Sequence, residues 1–335
     1  MKAAIYGAGS LGTILGAYLS KAGVPIELVS RNKEHIEALR ERGATVTGTV
    51  SFTQPVNALL PDEMRGPYDV VFLMTKQLDN EQTVTRLKPL LASDGVICTL
   101  QNGLPEPLIA GIVGPERTLG CTVAWGATRK GPGVSELTSD PSSLSFGLGE
   151  PAEVPAAKVA QVRGLLEKMC PVVMEPNFVG ARFSKLLVNA AFSGMSTVLG
   201  TTFGEAAGNR RSRVYVQRVI KECLDVARAA GIRVEPIQGV DVAKLLDYHG
   251  PVKRWVSFQV IPLAIKKHAG LRASMLQDLE RGRLTEVDAI NGSVCRLGAQ
   301  HGVATPVNDT VVSLVHAMER GERTPGFENL GAFPA

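Results

Sequence analysis

The sequence predicts an α/β protein of two domains, a parallel-sheet domain first and an all-helical domain after it. Three observations predict this. A glycine-rich turn at residues 7–12 stands between a strand-like run and a helix-like run. Strand-like and helix-like runs then alternate through the first half. From Arg182 onward the pattern is helical. A length of 335 residues fits two domains better than one.

The bulk composition narrows the function classes. Hydrophobic residues make up 44% and charged residues 20% of the chain, as in ordinary globular proteins. A formal net charge of +4 is too weak and too dispersed to argue for nucleic acid or a membrane surface. The five cysteines (Cys98, Cys121, Cys170, Cys223 and Cys295) are far apart and form no C-x-x-C pair. Four lie in apolar runs and read as small buried hydrophobes of a reducing compartment. His249, His268 and His301 are isolated, so no metal site is expected. No apolar leader or membrane-length stretch stands out, and the expected location is the cytoplasm.

The first unit of structure carries chemistry. Lys2 to Tyr6 reads as a short buried strand. Gly7-Ala8-Gly9-Ser10-Leu11-Gly12 follows, then a helix through Leu19 that stops at Gly23, then a second strand from Pro25 to Ser30. Strand, G-x-G-x-x-G, helix and strand make one βαβ unit of a Rossmann-type dinucleotide-binding domain. The first glycine permits the tight turn and the second lets the backbone approach a pyrophosphate. The third lets helix and strand pack closely. The helix N-terminus then offers free N–H groups to the phosphates.

The end of the second strand selects the cofactor. A carboxylate there holds the ribose hydroxyls of NAD, and a basic residue meets the 2′-phosphate of NADP. The strand runs Val29-Ser30-Arg31-Asn32-Lys33, and Glu27 lies inside it. Arg31 suits bidentate phosphate contact, so NADPH is expected.

Later strands end at further candidates. Tyr68–Thr75 ends at Lys76, and Gly95–Leu100 ends at Gln101-Asn102-Gly103. In open α/β sheets ligands bind at the carboxyl ends of strands. Asn102 can bond a carboxamide or a substrate, although Asn-Gly is also a common turn dipeptide. Glu81–Lys88 reads as a helix ended by Pro89. The stretch from Leu119 to Gly149 reads as short strands, an antiparallel extension of the same sheet. A helix to about Met169 and a strand at Val172–Met174 complete the domain. The expected domains are residues 1–176 and 177–335.

In the helical half, Lys185 sits in the apolar run FSKLLVNAAF. Lysine is almost never fully buried without a partner. Asn189 and Ser193 follow in steps of four, which would place amine, amide and hydroxyl on one helical stripe. That stripe could be one wall of a small-molecule site, or Lys185 could simply snorkel. Further helices are expected at Arg211–Ala230, Val240–Tyr248, Leu284–His301 and Asn308–Glu319. In the last-but-one, Thr285 would be the cap, with Glu286 and Asp288 in the first turn, where the helix dipole favours carboxylates. The sharper reading makes Glu286 the partner of Lys185. The last helices carry apolar faces that suit either the core or a homodimer.

Taken together, GAGSLG, Lys76, Asn102-Gly103, the Lys185–Asn189 helix and the pair SMLQDL…TEVDAING resemble the ketopantoate reductase (2-dehydropantoate 2-reductase) family over nearly the whole chain. The resemblance implies a helical domain like that of 6-phosphogluconate dehydrogenase. It also implies NADPH-dependent reduction of a 2-oxo acid, in the family ketopantoate to pantoate for pantothenate and coenzyme A synthesis. It assigns Lys185 as proton donor and Glu286 as the carboxylate near that lysine and the nicotinamide ribose. Asn189 and Ser274 take substrate-binding positions, with Ser193 and Asn102 beside them. Gly7 to Gly12, Arg31, Lys76, Asn102 and Ala127 take cofactor positions. Two departures stand out: Ser193 replaces a second Asn on the lysine helix, and an apolar stretch near Phe203 replaces a further Asn. The reducing machinery is kept while the acid-recognition wall is altered. Two other readings remain: a reductase of another 2-oxo acid with a bulkier tail, and a non-catalytic NADPH-binding sensor.

Overall fold

In the computed structural model, which describes residues 1–237 and 239–334, the chain divides into two units. Met1–Gln101 and Pro105–Phe178 form the first, and Asn102–Leu104 and Val179–Ala335 form the second.

The strands of the first unit, in chain order, are β1 (Ala3–Tyr6), β2 (Ile26–Val29), β3 (Ala44–Gly48), β4 (Phe52–Gln54), β5 (Asn57–Leu59) and β6 (Tyr68–Leu73). They continue with β7 (Leu91–Thr99), β8 (Thr118–Val123), β9 (Ala127–Gly131), β10 (Val134–Leu137), β11 (Phe146–Gly149) and β12 (Val172–Glu175). Eight of them form one sheet in the order β12-β11-β8-β7-β6-β1-β2-β5. Its central pairs are parallel, with β1 between β2 and β6. The chain leaves β1 toward one side and later returns to its other side, so β1 marks the topological switch point where ligands bind in such sheets. Both faces are covered. Ile5, Val70, Phe72 and Cys98 belong to one apolar cluster, while Tyr6, Val71, Leu73 and Ile97 belong to another. Two-sided burial explains why these strands read as continuous apolar runs.

The expected antiparallel extension is corrected in part. Strand β11 does pair antiparallel with β8. Strands β9 and β10 leave for a second sheet of order β4-β3-β10-β9. The helix Ser10–Lys21 explains this. It buries Ile14, Leu15, Ala17 and Leu19 and is covered nearly all round, so one sheet cannot bury it alone. The small sheet covers the side that the large sheet leaves, because the helix packs on β3, β4, β9 and β10 as well as on β2. Gly16 lets it lie close to β2, since a Cβ there would meet the Leu28 side chain at 2.6 Å.

The second unit is built of helices. The centrepiece is Arg210–Ala229, capped by Asn209, whose side chain accepts from the backbone of Arg211 and Ser212. It buries Val216, Val219, Ile220, Cys223, Leu224 and Ala227, the spacing of one apolar face. Around it lie Phe178–Val188, Met195–Leu199, Phe203–Gly208, Val242–Leu246, Pro251–Ala264, Ser274–Glu280, Asn291–Gln300 and Pro306–Glu319. The expected helix from Leu284 begins only at Asn291. Residues 286–290 form a turn, in which the Glu286 carbonyl accepts from the amides of Ala289 and Ile290, both at 3.0 Å. Thr285 still caps locally, accepting from Val287 N at 3.2 Å.

Candidate active site

The carboxyl edge of the large sheet is level. Tyr6 stands beside Val29 and Leu73, and Leu73 beside Thr99. The chain leaves three adjacent strands here toward Gly7, Arg31 and Lys76. Hydrogen bonds fix the exits. Gly7 N and Ala8 N both donate to Val29 O at 2.9 Å, and Met74 N donates to Tyr6 O at 2.8 Å. Gln101, which the sequence reading passed over as part of a turn, ties two exits together. Its amide donates to Thr75 O at 2.9 Å and to Asn80 Oδ1 at 2.8 Å. It accepts from Thr99 Oγ1 at 3.0 Å and from Asn80 Nδ2 at 3.2 Å. The backbone leading to Lys76 is therefore anchored by two buried amides.

The three glycines of the turn differ in what demands them. Gly7 has φ +113°, and a Cβ on it would lie 2.5 Å from the Met74 backbone. A Cβ on Gly12 would lie 2.3 Å from Gly7 O. Those two are required by the protein itself. Gly9 is exposed, and a Cβ on it would meet nothing nearer than Gly7 O at 4.0 Å. That open space leaves room for an external group to approach the backbone. The helix that follows has no side-chain cap at Gly9 and no acidic residue in its first turn. Its N–H groups and positive dipole end are thus left for an anion. These features fit a dinucleotide pyrophosphate.

Behind the turn lies a histidine that spacing did not reveal. His35 is fully buried. Its Nδ1 accepts from Gly133 N at 2.9 Å, which leaves the proton on Nε2 to donate to Thr13 Oγ1 at 3.1 Å. Burial, and then the charge of Arg129, pushes its pKa down to about 4. A neutral imidazole thus joins the glycine-turn helix to the Gly131–Val134 hairpin. Arg31, beyond β2, is exposed and pairs with Asp79 at 2.9 Å. Glu27 is engaged within the strand, accepting from Tyr68 Oη at 2.5 Å and facing Lys2 at 3.4 Å. Ala127 opens β9 and is half-buried.

The helical unit holds Lys185, Asn189, Ser193, Ser274, Glu286 and Asn102. Lys185 lies in the last turn of Phe178–Val188 and is half-buried. Asn189–Gly194 then forms a π-helical segment before α-helix resumes at Met195. The expected straight stripe is corrected accordingly. A π turn closes on i→i+5 bonds, so Ser193 no longer stands one regular turn beyond Asn189. Asn189 is half-exposed, whereas Ser193 is 7% exposed. Phe192, within the wide turn, stacks on Phe203 with ring centroids 6.1 Å apart.

Ser274 is exposed at the start of Ser274–Glu280, which packs on the π segment. Asp278, one turn on, is buried, a carboxylate that the sequence reading quoted without weighing. Glu286 is 9% exposed. Both Lys185 and Glu286 are engaged with partners. The turn carrying Glu286 is clamped from outside. Thr285 N donates to Glu319 Oε1 at 2.7 Å, and His316 bridges Glu319 Oε2 at 2.8 Å and Asp288 Oδ1 at 3.0 Å.

Among the described residues no group of three His, Cys, Asp or Glu could hold a metal ion, and no helix is long and apolar enough to cross a membrane. Cys98, Cys121, Cys170 and Cys223 are buried and not joined in disulfides. Burial pushes the Cys170 thiol up to about 12.

Fold and site together define a dinucleotide-binding oxidoreductase, in which a parallel-sheet unit is followed by a helical one. Residues 3–151 match the ketopantoate reductase PanE/ApbA family, and residues 177–319 match its C-terminal domain. The chain belongs to the ketopantoate reductase family. It is similar to the 2-dehydropantoate 2-reductase of Lactococcus lactis, with 28% identity over 325 residues, 95% of this chain and 98% of that one. The 2-dehydropantoate 2-reductase of Archaeoglobus fulgidus is likewise 28% identical, covering 95% of this chain and 97% of that one. Among solved structures, a D-mandelate dehydrogenase with NADH and anilino(oxo)acetate is similar, with a TM-score of 0.81 and 25% identity. That match covers 96% of this chain and 99% of that one.

Proposed function

We propose that this protein reduces a 2-oxo acid to the 2-hydroxy acid with NADPH, ketopantoate being the first substrate to test, and does so in the cytoplasm as a step toward pantothenate and coenzyme A. One observation carries the reading: a half-buried ammonium, Lys185, and a nearly buried carboxylate, Glu286, share the helical unit of a family member whose glycine turn is intact. The bound dinucleotide supplies the hydride. The N–H groups beyond Gly9 would hold its pyrophosphate, Arg31 its 2′-phosphate, and Lys76, Asn102 and Ala127 its remaining groups.

Reduction of the ketone carbon places negative charge on its oxygen. The Lys185 ammonium stabilises that charge and delivers the proton. Glu286 would keep the lysine charged and would bond the nicotinamide ribose of the bound cofactor. Asn189, Ser193 and Ser274 hold the substrate carboxylate and hydroxyl in register, which lowers the entropic part of the barrier. Support for NADPH comes from Glu27, whose carboxylate is spent on Tyr68 and Lys2 rather than offered at the strand end.

A second reading concerns the substrate. Ser193 has shorter reach than an amide, and the Phe192–Phe203 stack borders the same wide turn. A similar protein acts as a D-mandelate dehydrogenase. An apolar wall there favours a 2-oxo acid with a bulkier tail, and sites that bond polar groups discriminate strongly when those groups change. The test is NADPH oxidation, followed by absorbance, with ketopantoate, phenylglyoxylate and aliphatic 2-oxo acids. Turnover of ketopantoate above the others supports the first substrate. A large preference for phenylglyoxylate replaces it. NADPH binding with no turnover of any oxo acid overturns the enzyme reading in favour of a sensor.

A further inference from the structure

We propose that Asn291 is a positioning residue that locks the wide turn bearing Asn189 and Ser193 to the turn bearing Glu286; this rests on the reductase reading above. Asn291 is fully buried in the helical unit. Its Nδ2 donates to Ala190 O, inside the π segment, at 3.1 Å and to Asn308 Oδ1 at 2.9 Å. The orientation of this amide is dictated from further back. Glu222 accepts from Val307 N at 2.9 Å, from Asn308 N at 3.0 Å and from Asn308 Nδ2 at 2.7 Å. Asn308 therefore turns its NH2 toward the carboxylate and its oxygen toward Asn291. Asn291 must answer with its NH2, whose second hydrogen reaches Ala190 O. The three-residue relay runs from the central helix to the π turn without choice at any step.

Two further observations fit this role. A Cβ on Gly194 would lie 2.6 Å from Asn291 Oδ1 and 3.0 Å from Nδ2. Glycine at 194 is what lets the amide lie against the turn. A side chain bonded into the carbonyl ladder is also a recognised cause of helix distortion. On its other side Asn291 is joined to Glu286 by a short hydrogen-bonded stretch, in which Gly292 N donates to Val287 O at 2.9 Å. One side chain thus couples two groups of the site that are about a hundred residues apart in sequence. Misplacing reacting groups by about 1 Å costs on the order of a hundredfold in rate.

The experiment uses Asn291→Asp, which keeps the shape and removes at least one of the two donated bonds, since a carboxyl group has at most one hydrogen to give. Expected results are a fall in kcat/KM for the 2-oxo acid of about tenfold to a hundredfold, a raised KM, and an NADPH dissociation constant within about twofold of the wild type. Backbone amide exchange across residues 190–195 should also accelerate. A lowered Tm with unchanged kcat and KM means a structural residue only and overturns the proposal. Gly194→Ala presses on the same amide from the other side and should give the same kinetic signature if Asn291→Asp does not fold. Unchanged exchange across residues 190–195 in the folded variants overturns the proposal whether or not any oxo acid is turned over. Absence of turnover in the wild type sinks the reductase reading separately.

Discussion

The first unit meets the proposed pyrophosphate with backbone, and the second meets its proposed ligand with side chains. At residues 7–12 the useful groups are N–H donors, and what matters is which positions lack a Cβ. In the helical unit the proposed groups are an amine, amides, hydroxyls and a carboxylate, at positions 102, 185–193, 274 and 286. A backbone site is fixed by local spacing and tolerates almost any side chain around its glycines. A side-chain site is fixed by packing across distant segments and fails if one of them shifts.

The largest effect should come from the side-chain site. Lys185→Ala is expected to lower kcat by about a hundredfold to ten-thousandfold while the NADPH dissociation constant changes little. Equal loss of both in steady-state kinetics and cofactor titration would make the lysine structural. At the backbone site two glycine variants should separate. Gly9→Ala should weaken NADPH with little change in Tm, because its Cβ meets no protein atom nearer than Gly7 O at 4.0 Å. Gly7→Ala should cost stability of about 1–3 kcal/mol, since it combines positive φ with a contact to Met74. Denaturant melts and cofactor titrations of the pair measure the difference, and matched behaviour would remove the role given to Gly9. Arg31→Ala should weaken NADPH about tenfold or more, as for loss of a charge-assisted bond, and leave NADH nearly unchanged. A parallel loss of both in competitive titrations would remove the assignment of the 2′-phosphate.

The smallest effects set the two units against each other through pH. His35 is neutral in the fold, with a pKa of about 4. The unfolded chain takes up a proton there from pH 6.5 downward, so stability falls as pH drops from 6.5 to about 4. His316 behaves in the opposite sense. Burial is the largest influence and lowers its pKa, but the bonds to Glu319 and Asp288 outweigh it and the net shift is upward. Its contribution is complete below pH 6.5 and fades as pH rises through the raised pKa. Thermal melts should show His35→Gln flattening the acid side and His316→Gln the neutral-to-alkaline side, each by a few degrees, at about 2–4 °C per kcal/mol. A variant that shifts the whole profile evenly would disprove its histidine's titration.

Legibility in the sequence followed the same division. Gly7 to Gly12, the strands around them and the helix Ser10–Lys21 were readable because tight turns and periodicity are local. The small sheet was not, since β3 and β10 lie far apart in sequence and pair where the helix needs a second cover. Lys185 stood out as a charge among apolar residues and Glu286 as a candidate partner for it, but their roles as proton donor and ribose contact came from resemblance. The π turn escaped because steps of four look regular until a distant asparagine bonds into the ladder. Asn80, Gln101 and His35 escaped for a similar reason: each is a polar side chain whose partners lie on other elements.

The wide turn at Asn189–Gly194 also separates length from register. Helix precedes it to Val188 and resumes at Met195, so the surplus backbone is absorbed within six residues. Such a segment works as an exchangeable cassette. Its ends are held by ordinary helix, and two of the proposed substrate contacts, Asn189 and Ser193, lie inside it. Swapping Asn189–Gly194 for the corresponding stretch of a relative, with Asn291 kept, is therefore the economical route to retuning which acid is accepted while the lysine stays where it is.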